Sequence, residues 1–159
     1  MAQAAAISLD DAAMRIDALA DAPEAVLRGD AQVHADELLK LGEGILERWL
    51  EAHGKEPTQD KSEGFRLLAL HRQASRGDPS FNACRETCRE LVYHRNLIVL
   101  EPDHVEVVQR MRLAAMVARH LALFIGGKLE VSGLGEFCCS SRSLRQGESQ
   151  PATEDNVTP

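Results

Sequence analysis

Apolar residues recur along most of the chain at spacings of three and four, the period of an α-helix with one face turned to a core. Leu9, Ala12, Ala13, Ile16, Leu19 and Ala20 form the first such stripe, opened by Ser8 as a helix cap, with Asp11 three residues on. A short turn of helix follows Pro23, with Val26 and Leu27 turned inward and Gly29 closing it. Asp30 opens a longer helix to about His53. Leu38, Leu41, Ile45, Leu46, Trp49 and Leu50 line one side of it, and Glu37, Lys40, Glu43, Glu47 and Glu51 the other. Gly42 and Gly44 weaken that helix by roughly 1 kcal/mol each against alanine, which points to a close helix crossing or a kink.

A polar linker, 55–61, leads to a helix capped by Ser62 that carries Phe65, Leu67, Leu68, Leu70, His71 and Ala74. Arg76-Gly77-Asp78-Pro79 breaks it. Asp78 and Pro79 start another helix, with Phe81, Cys84, Cys88, Leu91, Val92 and Tyr93 as its apolar set. Asn96 to Pro102 is expected to be extended, because a residue before proline is pushed from the helical region.

The pattern then changes. From Asp103 to Ile125 the chain is apolar over most of a helical circumference, with Val105, Val108, Met111, Ala115, Ala118, Ala122 and Ile125 on one face and Val107, Ala114, Leu121 and Phe124 on a second. Arg110, Arg112, Arg119 and His120 interrupt it. Such a helix is expected at the centre of the fold, capped by Asp103 and ended by Gly126-Gly127. Its arginines, each costing a few kcal/mol in hydrocarbon, argue against a membrane span. Lys128-Leu129-Glu130-Val131-Ser132 alternates like a strand, with Gly133-Leu134-Gly135 as the turn of a short C-terminal β-hairpin and Phe137 as the last apolar anchor.

The fold class expected is therefore all-α: a bundle of about five helices around a buried central helix, 103–125. Residues 1–137 form a single helical domain, and residues 138–159 a Cys-Cys segment with a disordered polar tail. Aromatic residues make up 4% of the 159, so the core must rest on Leu, Ala, Val and Ile, a composition that favours helix over sheet. The N-terminus lacks the basic and apolar regions of a signal peptide, and a cytoplasmic protein with reduced cysteines is expected.

Charge adds an asymmetry. Residues 1–60 carry 13 acids and 5 bases, whereas residues 61–137 carry 9 acids and 11 bases, within a net charge of −7. Acidic amphipathic helices of this kind suit a basic protein partner and repel nucleic acid.

The sequence offers three candidate chemistries. Cys84 and Cys88, one helical turn apart, could join Cys138, Cys139 and His94 in a zinc or iron–sulfur site, with His71, His104 and His120 in the same region. They could instead form a redox pair with Cys138 or Cys139, or serve as small core residues. Residues 65–75 and 80–95 resemble the two helices of a helix-turn-helix, with Asn82, Arg85, Arg89 and Arg95 on the second, although Glu86 and Glu90 alternate with those arginines. Catalytic pairs can be drawn from Cys84 or His94, but no nucleophile elbow, phosphate loop or zinc-protease motif accompanies them. The reading that results is a non-enzymatic interaction protein (an adaptor, assembly factor or regulator) that binds another protein and forms a homodimer, with no cofactor. The alternative is a metal- or redox-responsive protein built on the Cys/His set, and the third is a DNA-binding regulator.

Overall fold

A computed structural model describes residues 7–133. Among them stand six α-helices: α1 (Leu9–Asp21), α2 (Glu24–Gly29), α3 (Ala31–Ala52), α4 (Arg66–Gly77), α5 (Arg85–Leu100) and α6 (Val107–Val131). A 3-10 helix, Pro79–Cys84, lies between α4 and α5. No helix in this range is long and apolar enough to cross a membrane. Residues 1–6, Phe137, and the tail with Cys138 and Cys139 lie outside the described residues.

Helix α6 is the element the others meet. Helices α1, α2, α3 and α5 all pack on it, and Met111, Ala114, Ala115, Ala118, Leu121, Ala122 and Ile125 are buried in those interfaces. The alanines let neighbouring backbones come close, and so does Gly42 of α3. A Cβ added to Gly42 would lie 2.8 Å from Leu91 Cδ2 of α5 and 3.3 Å from Leu67 Cδ1 of α4. The glycine that weakens α3 as a helix is thus the one that lets three helices share a crossing.

Local signals set several boundaries as expected. Ser8 accepts the Asp11 N–H at 3.0 Å, and Asp78 accepts the Ser80 N–H at 3.0 Å with Pro79 at the first position after it. Others moved. Asp103 does not cap α6, because residues 101–106 are taken up by consecutive turns, His104 N–H to Glu101 O and Val107 N–H to His104 O. The helix therefore begins at Val107, and Val105 is left 76% exposed. Residues 96–100 are helical, not extended. The restriction imposed by Pro102 falls on Glu101 alone, so α5 runs to Leu100 and buries Ile98. Ser62 does not open α4. It pairs with Phe65 across a tight turn in which Glu63 (φ 56°) and Gly64 (φ 87°) are both left-handed, and α4 starts at Arg66. Val26 and Tyr93 face solvent.

The largest correction is at the end of α6. The helix passes through Gly126-Gly127 to Val131, so the first strand of the expected hairpin is helical. Two interior glycines cost roughly 1 kcal/mol each, but tertiary contacts hold the last turns. Leu129 is buried. Lys128 Nζ reaches Asp78 Oδ2 at 2.9 Å and Ser80 Oγ at 2.6 Å, and lies 5.5 Å from the ring centres of Trp49 and Phe81 and 5.8 Å from that of Phe124. Those rings form the aromatic part of the core, with Phe81 at 4.9 Å from Trp49 and edge-on to Phe124 at 5.6 Å.

The charge asymmetry of the sequence is partly offset by ion pairs within the fold. Seven of the thirteen acids in residues 1–60 (Asp17, Glu24, Asp36, Glu37, Glu43, Glu47 and Glu51) are in ion pairs with arginines. Several of those arginines come from the basic half. Arg66 is shared by Glu43 and Glu47, Arg95 takes Asp36, and Arg119 takes Asp17.

Candidate functional sites

The cysteine–histidine cluster is built at the junction of α4, the 3-10 helix and α5. Phe81 is fully buried, and its carbonyl oxygen accepts from two side chains. His71 Nε2 of α4 donates to it at 2.7 Å and the Cys84 thiol at 3.3 Å. Cys88 lies one turn further along α5, and both thiols are free and buried. The neighbouring Cys88 thiol, and then His71, favour ionised Cys84 and lower its pKa. The same interaction pushes Cys88 up, with burial adding to it. Burial by itself disfavours charge on His71, but Cys84 and the Phe81 carbonyl outweigh it and the imidazole is raised. The arrangement sets an imidazole and a thiol on one carbonyl oxygen, with a second buried thiol a turn away.

Of the ligand set read from the sequence, Cys84 and Cys88 come together. The imidazole that meets them is His71. His94 is six residues beyond Cys88, which places it on another face of α5. There it sits edge-on to Tyr93 at 5.4 Å, its pKa is lowered by burial, and its Nδ1 has no hydrogen bond. Among the described residues no three His, Cys, Asp or Glu side chains are placed to hold a metal ion. Cys138 and Cys139 lie outside that range.

Above the cluster opens a polar cavity of about 310 Å³. His71 forms part of its wall, with Arg72, Ser75, Arg85 and Arg89 from α4 and α5, Asn82 from the 3-10 helix, and Ser62 and Glu63 from the left-handed turn. A second cavity of about 250 Å³ shares Ser62 and Arg72 and adds Lys61 and Arg76. Arg89 is held by a two-pronged pair to Glu63, at 3.0 and 3.1 Å. The arginines read as a recognition helix therefore divide. Arg89 and Arg95 are tied to Glu63 and Asp36, and Arg85 makes no ion pair with a described carboxylate. Seven residues, 78–84, separate α4 from α5, whereas a helix-turn-helix uses three or four.

A third feature is a surface. The expectation of a buried central helix holds for most of the circumference of α6. On its solvent side, Leu113, Met116 and Leu123 are 40%, 59% and 55% exposed, with His120 between them. The steps 113, 116, 120, 123 and 127 alternate three and four, the spacing of a coiled-coil seam, and Gly127 ends the line with the smallest possible side chain. Val117 and Phe124, only partly covered, flank it. That spacing is visible in the sequence, but it is masked there by the equally regular buried faces of the same helix.

No protein family, curated protein or solved structure matches the chain.

Proposed function

We propose that this is a non-enzymatic interaction protein that offers the exposed line of α6 to a helix of a partner. The observation that carries the reading is the alternating three–four spacing of Leu113, Met116, His120 and Leu123 on the solvent side of the central helix. The consumption of seven acids in internal ion pairs moves the expected docking surface from the acidic helices to this apolar line. The partner that fits best is a second copy of the chain. Two antiparallel α6 helices would set Leu113 against Leu123 and Met116 against His120 in repeating layers, and Val117 and Phe124 would close the flank. Light scattering after gel filtration of the full chain tests this. A doubled mass that falls to the single-chain mass in both Met116→Glu and Leu123→Glu, with unchanged helix content, is the expected result. A single-chain mass for the parent at every concentration overturns the self-pairing.

A second reading, a thiol-responsive protein, is favoured by the convergence of His71 and Cys84 on one carbonyl with Cys88 a turn away. Its test is the pH dependence of alkylation by a small haloacetamide. Reaction at Cys84 well below the ordinary thiol range, moved upward by His71→Asn, is the expected outcome. Two thiols inert until the protein unfolds would remove the reading.

A further inference from the structure

The described arginines of this chain follow one habit, with one local exception. Eight of the twelve are in ion pairs with carboxylates, and Arg112 is spent on the carbonyls of Ala20 and Ala22. The three that remain, Arg72, Arg76 and Arg85, make no ion pair with a described carboxylate. All three line the two adjoining cavities beside α4. In a protein of net charge −7, arginines left over by the pairing would be expected to scatter. Here they gather.

The larger cavity has the composition of an oxyanion site. It holds three guanidinium groups against one carboxylate, Glu63, which is already engaged by Arg89. Ser62 and Asn82 add neutral donors, and Arg72 reaches Ser62 Oγ at 3.3 Å, which holds its fork at the rim. Arg85 is close enough to oppose protonation of the His71 imidazole. A planar guanidinium matches the paired oxygens of phosphate, and several of them in one concave polar pocket repel each other unless an anion sits between them. The Glu63–Gly64 turn closes one side of the cavity with both residues left-handed, and its Glu63 keeps Arg89 in place.

We infer that the cavity between α4, the turn at Ser62–Phe65 and the start of α5 binds a small phosphoryl-bearing anion through Arg72 and Arg85, with Arg89 and the Ser62 hydroxyl beside them. A site of about 310 Å³ suits a phosphate group carrying a modest organic portion, and the flanking Glu63 sets a limit against an extended polyanion.

Isothermal titration of the full chain with inorganic phosphate at fixed ionic strength provides the test, with a short single-stranded oligonucleotide as the second titrant. Saturable one-to-one phosphate binding is expected, weakened about tenfold or more in Arg85→Gln and in Arg72→Gln, the loss of one charge-assisted contact. It should be unchanged in Arg119→Gln, whose guanidinium pairs with Asp17 outside the cavity. Absence of saturable phosphate binding overturns the inference, and so does equal weakening by Arg119→Gln, which would mark a general charge effect. Oligonucleotide binding lost in Arg85→Gln without saturable phosphate binding also overturns it, in favour of a nucleic-acid surface. Arg85 is exposed, so its replacement leaves the fold intact.

Discussion

Phe81→Ala is the perturbation that reaches furthest into this fold. The ring is fully buried and meets Trp49 at 4.9 Å, Phe124 edge-on at 5.6 Å and the Lys128 ammonium at 5.5 Å, so it joins α3, the 3-10 helix and the last turns of α6. Removing a buried phenylalanine costs about 3–5 kcal/mol, from lost transfer energy and the cavity left behind. Against a total stability of roughly 5–15 kcal/mol for a domain, that is a large share. Phe81→Leu keeps most of the volume and forfeits chiefly the aromatic pairs, about 0.5–1.5 kcal/mol each. It should therefore fall between the parent and the alanine variant. Trp49 is the single tryptophan and stands against the perturbed ring, so its emission through a urea titration reports on this site, while circular dichroism reports on the helices. The expected result is coincident transitions by both probes, with midpoints in the order parent, Leu, Ala. An alanine variant within about 1 kcal/mol of the parent would refute the claim that this ring holds the end of α6 in place.

Acid titration gives a second check. Asp78 is lowered from its ordinary value of 3.8 to about 2, first by Lys128 and then by Ser80, so it contributes stability above pH 3.8 that is lost as pH falls towards 2. The stability gap between the parent and Asp78→Asn should close across that window, and a gap constant through it would dismiss the Lys128 clasp. Alanine at two glycines should act in opposite directions. Gly42→Ala gains about 1 kcal/mol of helix propensity but overpacks Leu91 and Leu67 at a cost of about 1–3 kcal/mol, whereas Gly29→Ala meets nothing within 4 Å and should stabilise by about 0.4–1 kcal/mol. Chemical denaturation of both reads the signs, and a stabilised Gly42→Ala would mean that the crossing is looser than the distances indicate. Arg112→Ala leaves the carbonyls of Ala20 and Ala22 without their donor, at a cost of about 1–3 kcal/mol. Hydrogen exchange should show earlier opening of α1 than of α3, and unchanged protection there would show the contact to be dispensable.

The sequence by itself determined the helical class, the stripes of α1 and α3, the caps at Ser8 and Asp78, and the central place of the chain from Val107 onward. These follow from spacing and from local hydrogen bonding, which act within a few residues. It did not determine where α6 ends, because the glycine signal at Gly126-Gly127 is local, and the clasp of Lys128 on Asp78 and the aromatic rings joins residues about fifty positions apart. It left Cys84 with several histidines to choose from. The imidazole that meets it, His71, comes from α4, whereas His94 of α5 points elsewhere. The acidic N-terminal half read as a surface for a partner, and only the packing of α1 and α3 against the basic half brought Asp17, Asp36, Glu43 and Glu47 beside its arginines. The gathering of Arg72, Arg76 and Arg85 belongs to the tertiary structure alone. Which cations are left over depends on which carboxylates the fold has already placed beside the others.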